Sequence, residues 1–321
     1  MKKLLFILLL SLANSLFADQ ATNDSIYAFA DLLVWKLREV GSANWAQNIT
    51  PVGAYQTATL IDVPFNWSEG IRLGVGYDDP DKVIDTVFYF TTYSTTGFNS
   101  ASGQLYSSFL GNYFVNNANG ASTGPTYQSA SIQWHFLYNT LDLEAGHTFL
   151  IDNVLQWHPF IGLKAAWINQ KVSSNWYNPI VPTTFTEAQE NLDNDFFGIG
   201  PSIGVNTTWP LYVAPGKSLN LFGDFSGALL YSHWSFSEYY VNNTPANVRS
   251  TFDSFSAATP MTRAFLGFEY SQDWHRISTN VRLGYEAQVW FKQEQWYSFN
   301  MGRLNNLMSL QGGTLDVQVN V

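Results

Sequence analysis

The chain has no cysteine, little charge and no apolar run long enough to cross a bilayer as a helix. Without cysteine it can form no disulfide, offer no thiolate to a metal or substrate, and carry no lipid on an N-terminal cysteine. Charged residues make up 12% of the 321, against about 25% in ordinary soluble domains, which is too few to wet a surface of this size. No stretch reaches the roughly 18 consecutive apolar residues that a spanning helix needs. Basic residues are also scarce. With Lys2 and Lys3 set aside, the net charge is near −12, and a nucleic-acid partner, which calls for a basic surface, is excluded.

What the chain does have is aromatic residues, 17% of the total, at a mean hydropathy of −0.08. Apolar residues are therefore plentiful but dispersed, as in a membrane barrel, where every second side chain meets lipid. The N-terminus supports export. Lys2 and Lys3 precede the apolar run Leu4–Leu10, polar Ser11 and Asn14 follow, and Ala18 offers a small residue for cleavage. Residues 1–18 read as a secretory signal and 19–321 as a single barrel domain.

Ten strands are predicted, at 26–37, 69–78, 83–93, 130–147, 157–169, 196–208, 218–232, 262–271, 277–291 and 312–321. The gaps between them alternate. Tight ones fall at Asp79–Lys82, Thr148–Gln156, Trp209–Lys217 and Gln272–Arg276. Long ones fall at 38–68, 94–129, 170–195, 233–261 and 292–311. An even strand number with short periplasmic turns and long outer loops is the pattern of a transmembrane, antiparallel, up-and-down β-barrel of the outer membrane, of about 10 strands within a range of 8–12.

Within the strands, period two separates the faces. Ile71, Leu73, Val75 and Tyr77 alternate with Arg72, Gly74, Gly76 and Asp78, and Leu315, Val317, Val319 and Val321 with Thr314, Asp316, Gln318 and Asn320. The charges Asp31, Arg72, Asp85, Asp142, Glu144, Lys164, Asp224, Arg263, Glu269, Arg282, Glu286 and Asp316 all fall opposite the apolar set, which makes them the expected pore-lining residues. An Arg or Lys facing lipid at mid-bilayer costs roughly 2–4 kcal/mol, enough to enforce that phase. A soluble sandwich also alternates, but its polar face would carry Lys and Glu rather than Gly198, Gly200, Ser202, Gly204 and Asn206. Two strands depart from the rule. Segment 83–93 is apolar on both faces, and 130–147 reads as a phase slip between Tyr138 and Leu141, as at a bulge.

Tryptophans near strand ends suit an interfacial belt, Trp157, Trp209 and Trp274 on one side and Trp167, Trp234 and Trp290 on the other. Segment 94–129 lacks any charge and reads as a solvated surface loop. Segment 292–311 spaces Trp296, Phe299, Leu304, Leu307 and Met308 at near-helical intervals; it is expected either to fold into the lumen or to remain a plain surface loop.

Several stretches share a further likeness: Asp31-Leu-Leu-Val-Trp-Lys36, Gly70-Ile-Arg-Leu-Gly-Val-Gly-Tyr77, Leu141-Asp-Leu-Glu-Ala-Gly146, Pro159-Phe-Ile-Gly-Leu-Lys-Ala-Ala-Trp167, Phe197-Gly-Ile-Gly-Pro201 and Arg282-Leu-Gly-Tyr-Glu286. In order and spacing they resemble the Legionella-type major outer-membrane protein family, from about residue 27 to the C-terminus. The resemblance implies a pore-forming barrel. It departs from the family in lacking cysteines for cross-linked assembly, and from common barrels in ending on Val321 rather than an aromatic residue.

The expectation is a porin-like protein of the cell outer membrane that passes small solutes passively through a narrow lumen. Its cofactors are none. Its partners are outer-membrane lipids and lipopolysaccharide, with the barrel assembly machinery and periplasmic chaperones during biogenesis, and a homo-oligomer, if formed, has no disulfides. The alternative is a structural or adhesive barrel with no open channel, whose loops bind ligands through residues such as Tyr106, Phe109, Tyr113 and Phe114. An enzyme is not expected. His233 lies near Ser232, Ser235 and Glu238, but closeness in sequence does not make a triad, and no metal spacing or phosphate loop is present.

Overall fold

A computed structural model describes residues 25–321 except 40–42, 54, 79–83, 109–125, 152–154, 181–184, 244–246, 275–276 and 299–301. The expected signal segment, Phe109, Tyr113, Phe114, His275 and Phe299 lie outside the described residues. Thirteen strands follow in order: β1 Ser25–Glu39, β2 Asn44–Val52, β3 Tyr55–Asp62, β4 Ser68–Asp78, β5 Asp85–Ser107, β6 Tyr127–Gly146, β7 Phe149–Ile151, β8 Leu155–Pro179, β9 Glu187–Ala214, β10 Lys217–Asn242, β11 Asn247–Trp274, β12 Ile277–Ser298 and β13 Gly302–Asn320.

Ten of these close into an antiparallel barrel. The ring runs β1, β13, β12, β11, β10, β9, β8, β6, β5, β4 and back to β1. Each predicted strand coincides with one member of this ring. The three extra strands are short: β2 and β3 form a hairpin in the first outer connection that pairs with the top of β5, and β7 folds back on β8 near the periplasmic end. Following hydrogen-bonded neighbours once round the wall from Trp290 returns to β12 at Ser278, a stagger of twelve residues. Such stagger is what closing a tilted sheet requires.

Lipid sets the outward face. Leu32, Val75, Phe88, Ile161, Ile203, Leu229, Phe268 and Leu283 stand exposed there, where hydrocarbon covers them. Trp157, Trp167, Trp209 and Trp274 are exposed at the belt edges. Trp234 and Trp290 are not. Both are fully buried inside the barrel, so only Trp167 remains of the belt expected on the outer side.

Two further expectations are corrected. Strand β6 has no phase slip; its even residues from Ala130 to Asp142 face inward without a break, in unbroken register with β5 and β8. The apparent slip arose because Ile132, Trp134, Phe136 and Tyr138 are apolar yet point into the barrel. The second concerns the long outer loops, which are mostly strand. A span needs only about 9–11 residues, whereas β8, β9, β10 and β11 have 25, 28, 26 and 28. The wall on that side therefore continues well above the membrane. Segment 292–311, expected either to fold into the lumen or to remain a surface loop, contributes to the two arms of the β12–β13 hairpin.

Candidate functional site

The lumen is where ionisable side chains converge. Inward positions are set by period two, and the stagger brings charges from distant strands to one level. Glu286 of β12 is the hub: Arg72 of β4 donates from Nη2 to its Oε1 at 2.7 Å, and Arg263 of β11 from Nε to the same oxygen at 2.6 Å. Arg72 Nη1 also reaches Asp31 Oδ2 at 2.5 Å, and Arg263 Nη1 reaches Asp224 Oδ2 at 2.6 Å. Thr314 and Gln288 donate to the same carboxylate of Glu286. Nearby, Lys164 pairs with Asp142, and Arg282 Nε donates to Glu269 Oε2 at 2.6 Å. Tyr89 donates to Glu144 Oε1 at 2.6 Å, and Asp85 meets His158 Nε2 at 2.7 Å. Asp316 faces Asp31 directly across the β1–β13 register.

All twelve residues singled out from the sequence thus lie within the barrel, and most are joined to one another. What sequence reasoning missed is the pairing itself, and His158, which faces inward onto Asp85. Acids exceed bases in this layer.

Glycine makes room for large neighbours at this level. A Cβ on Gly76 would run into the ring of Tyr27, its register partner on β1. Small residues on the inner face are thus the complement of inward aromatic rings.

Above the charged layer the lumen is aromatic. Trp35, Tyr93, Tyr138, Trp134, Phe196, Trp234, Trp290 and Trp296 are all buried and in ring contact at centroid distances of 5.2–6.5 Å. Their polar atoms are satisfied locally: Trp35 Nε1 donates to Thr314, Tyr93 OH to the Trp35 carbonyl, Tyr138 OH to Gln288 and Trp134 Nε1 to Gln170. These rings occupy the lumen at this level.

The upper end of β12 completes the closure. Four consecutive residues, Gln293 to Trp296, are all buried, which no strand in a barrel wall can achieve. A bulge between Trp290 and Glu294 turns the strand inward, and Lys292 in it has φ 58°, a left-handed conformation that is costly for a residue with a Cβ. The inward segment is held by Trp234 Nε1 donating to the Gln293 carbonyl at 2.9 Å, and Asn194 Nδ2 to that of Gln295 at 2.6 Å. Trp296 packs edge-on to Trp134 at 5.4 Å, and the Glu294 carboxyl lies against that of Glu39.

Outside the membrane, four buried glutamates have no base beside them among the described residues. Burial pushes Glu190 up to about 8 and Glu238 up to about 7, against the hydrogen bonds they accept from Ser174 and Tyr240. Burial also raises Glu39, to about 8, against its hydrogen bond with Glu294, and burial together with the charge of Glu39 raises Glu294.

The arrangement offers no triad. Ser232 points inward and His233 outward, where its Nδ1 meets Ser256 Oγ at 3.2 Å, while Glu238 points inward. Among the described residues no group of three or more His, Asp or Glu is placed to hold a metal ion.

A family model, that of the Legionella pneumophila major outer membrane protein precursor, matches residues 27–321. No curated protein matches the sequence. Among solved structures, a major outer membrane protein from Thermus thermophilus is similar at 9% identity and a TM-score of 0.37, over 94% of this chain and 100% of that one. The translocator domain of the autotransporter NalP from Neisseria meningitidis is similar at 10% identity and 0.36, over 96% and 91%. A FadL homologue from Pseudomonas aeruginosa stands at 7% identity and 0.28, over 92% and 90%.

Proposed function

The chain belongs to the Legionella pneumophila major outer membrane protein family and lies in the cell outer membrane, and from that premise we propose that it is a narrow, porin-like pore for small solutes with a preference for cations. The observation that carries this reading is the acid-rich layer across the lumen, in which eight acids face four bases and Asp31 meets Asp316 across the register. A barrel selected only for stability gains little from such a layer, since replacing buried ion pairs by apolar packing is often neutral or stabilising. Acids along a lumen draw in cations. In this reading Arg72, Lys164, Arg263 and Arg282 trim that preference, and lipopolysaccharide and outer-membrane lipid surround the belt. Barrel assembly machinery and periplasmic chaperones deliver the chain, and any homo-oligomer forms without disulfides.

A specific observation favours a second reading. The aromatic layer and the inward segment of β12 fill the lumen in this conformation, as they would in a closed barrel whose surface strands bind ligands. Single-channel recording of the refolded protein in planar bilayers separates the two. Small, stable, cation-preferring steps are the expected result. Silence from a protein that is folded by its heat-modifiable gel mobility would overturn the pore and leave the closed barrel.

A further inference from the structure

Strand β11 loses a neighbour halfway up. Its pairing with β12 ends at Met261 opposite Trp290, although β11 itself continues upward to Asn247 on its pairing with β10. Above Met261 no described strand pairs with β11 on the side that β12 occupies below. The sequence explains the parting. Pro260 is the first residue past the last pair and has no N–H to give a ladder, and on the facing strand the bulge at Phe291–Gln293 carries the left-handed Lys292.

The segment that left the wall is the one that fills the lumen. If the Met261–Trp290 register continued, Gln293 would sit opposite Ala258, with both side chains outward. We propose that Gln293–Trp296 is a gate with two seats: the lumen seat seen here, and a wall seat on the upper edge of β11, where no described strand pairs on that side. In the lumen seat its backbone carbonyls take hydrogen bonds from Trp234 and Asn194 side chains, and Trp296 fills the space between Trp134 and Phe236. In the wall seat the same backbone groups are met by β11, so the exchange leaves few polar groups unpaired, which is what makes a packed element two-state rather than freely mobile. The move withdraws the Trp296 ring from above the aromatic layer. Its consequence for solute passage rests on the pore reading; the existence of two seats does not.

Because the chain has no cysteine, engineered pairs report each seat cleanly. Asn194→Cys with Gln295→Cys marks the lumen seat, and Ala258→Cys with Gln293→Cys marks the wall seat. Thr262→Cys with Val289→Cys, partners in the ladder below the parting, is the positive control. Each is made in the full chain in lipid vesicles and read by oxidation on a gel. Both seat pairs are expected to cross-link, with the lumen pair blocking any bilayer current and the wall pair raising it. A wall pair that stays reduced while the control oxidises overturns the gate. The cross-linking result stands independently of current: oxidation at both seats in a barrel that never conducts sinks the pore and keeps the gate. Should a double variant not fold, Gln295→Cys alone is labelled with a maleimide in the presence and absence of Trp234→Phe. Loss of the Trp234 hydrogen bond is expected to speed labelling by about five-fold, and an unchanged rate overturns the gate.

Discussion

Glu286 shows how much can rest on one side chain. It holds two buried guanidinium groups, Arg72 and Arg263, and each of those holds an aspartate in turn. Glu286→Gln leaves two cations sharing a neutral amide, and unpairing a buried charge costs roughly 3–5 kcal/mol. The expected outcome is a clearly lower guanidinium midpoint in detergent micelles with the barrel signature retained; an unchanged midpoint would mean that water already screens the cluster. Glu190 and Glu238 make a prediction of opposite sign to the usual acid one. Their folded values, about 8 and about 7, lie above the ordinary 4.5, so the folded state binds more protons across that interval. Their contribution to stability is complete below about pH 4.5 and is lost as pH rises through 7 and 8. Protection of the amides in β9 and β10 above Phe196 and Trp234, corrected for the hydroxide-catalysed intrinsic exchange rate, is therefore expected to fall between pH 5 and pH 9. Glu190→Gln should flatten that fall, and a pH-independent protection in the parent would refute the assignment.

At the scale of strands, pairing register decides what each inner glycine can become. Gly76→Ala places a methyl group into the Tyr27 ring across β1 and β4, and should reduce the folded fraction measured by gel mobility. Tyr27→Ala in the same chain should restore it; failure of the double variant would mean that the glycine serves the backbone and not its neighbour. How much of this was legible follows the same physics. The ten strands and the inward face of all twelve charges could be read because lipid enforces period two on every spanning segment. Partners could not, since Glu286 meets Arg72 only through a stagger accumulated around the whole ring. Above the membrane the enforcement ends. Along β9, Glu187, Gln189, Asn191, Asp193 and Asp195 alternate with inward residues that include Glu190 and Asn194, so polar faces polar and strand reads as loop. The inward aromatics of β6 inverted the expected pattern for the same reason, because there the apolar side chains fill the lumen and do not meet lipid. Near-helical spacing in 292–311 came from a bulge and two hairpin arms, which no single period describes.

For the molecule as a whole, the ratio of acids to bases inside the barrel sets the expected selectivity. Reversal potentials across a salt gradient should favour the cation, and Lys164→Ala, which releases Asp142 from its partner, should strengthen that preference. An anion-selective parent would contradict the acid-rich lumen as the selectivity element. The division of the twelve tryptophans has another consequence. Seven are fully buried, at 35, 45, 134, 176, 234, 290 and 296, while Trp67, Trp157, Trp167, Trp209 and Trp274 are exposed. The barrel therefore contains two optical populations. Brominated acyl chains should dim the emission of the belt rings and leave the lumen rings bright. The perpendicular Trp134–Trp296 contact places two indole transitions close enough to couple, so circular dichroism in the near ultraviolet should register the mouth of this barrel without any label.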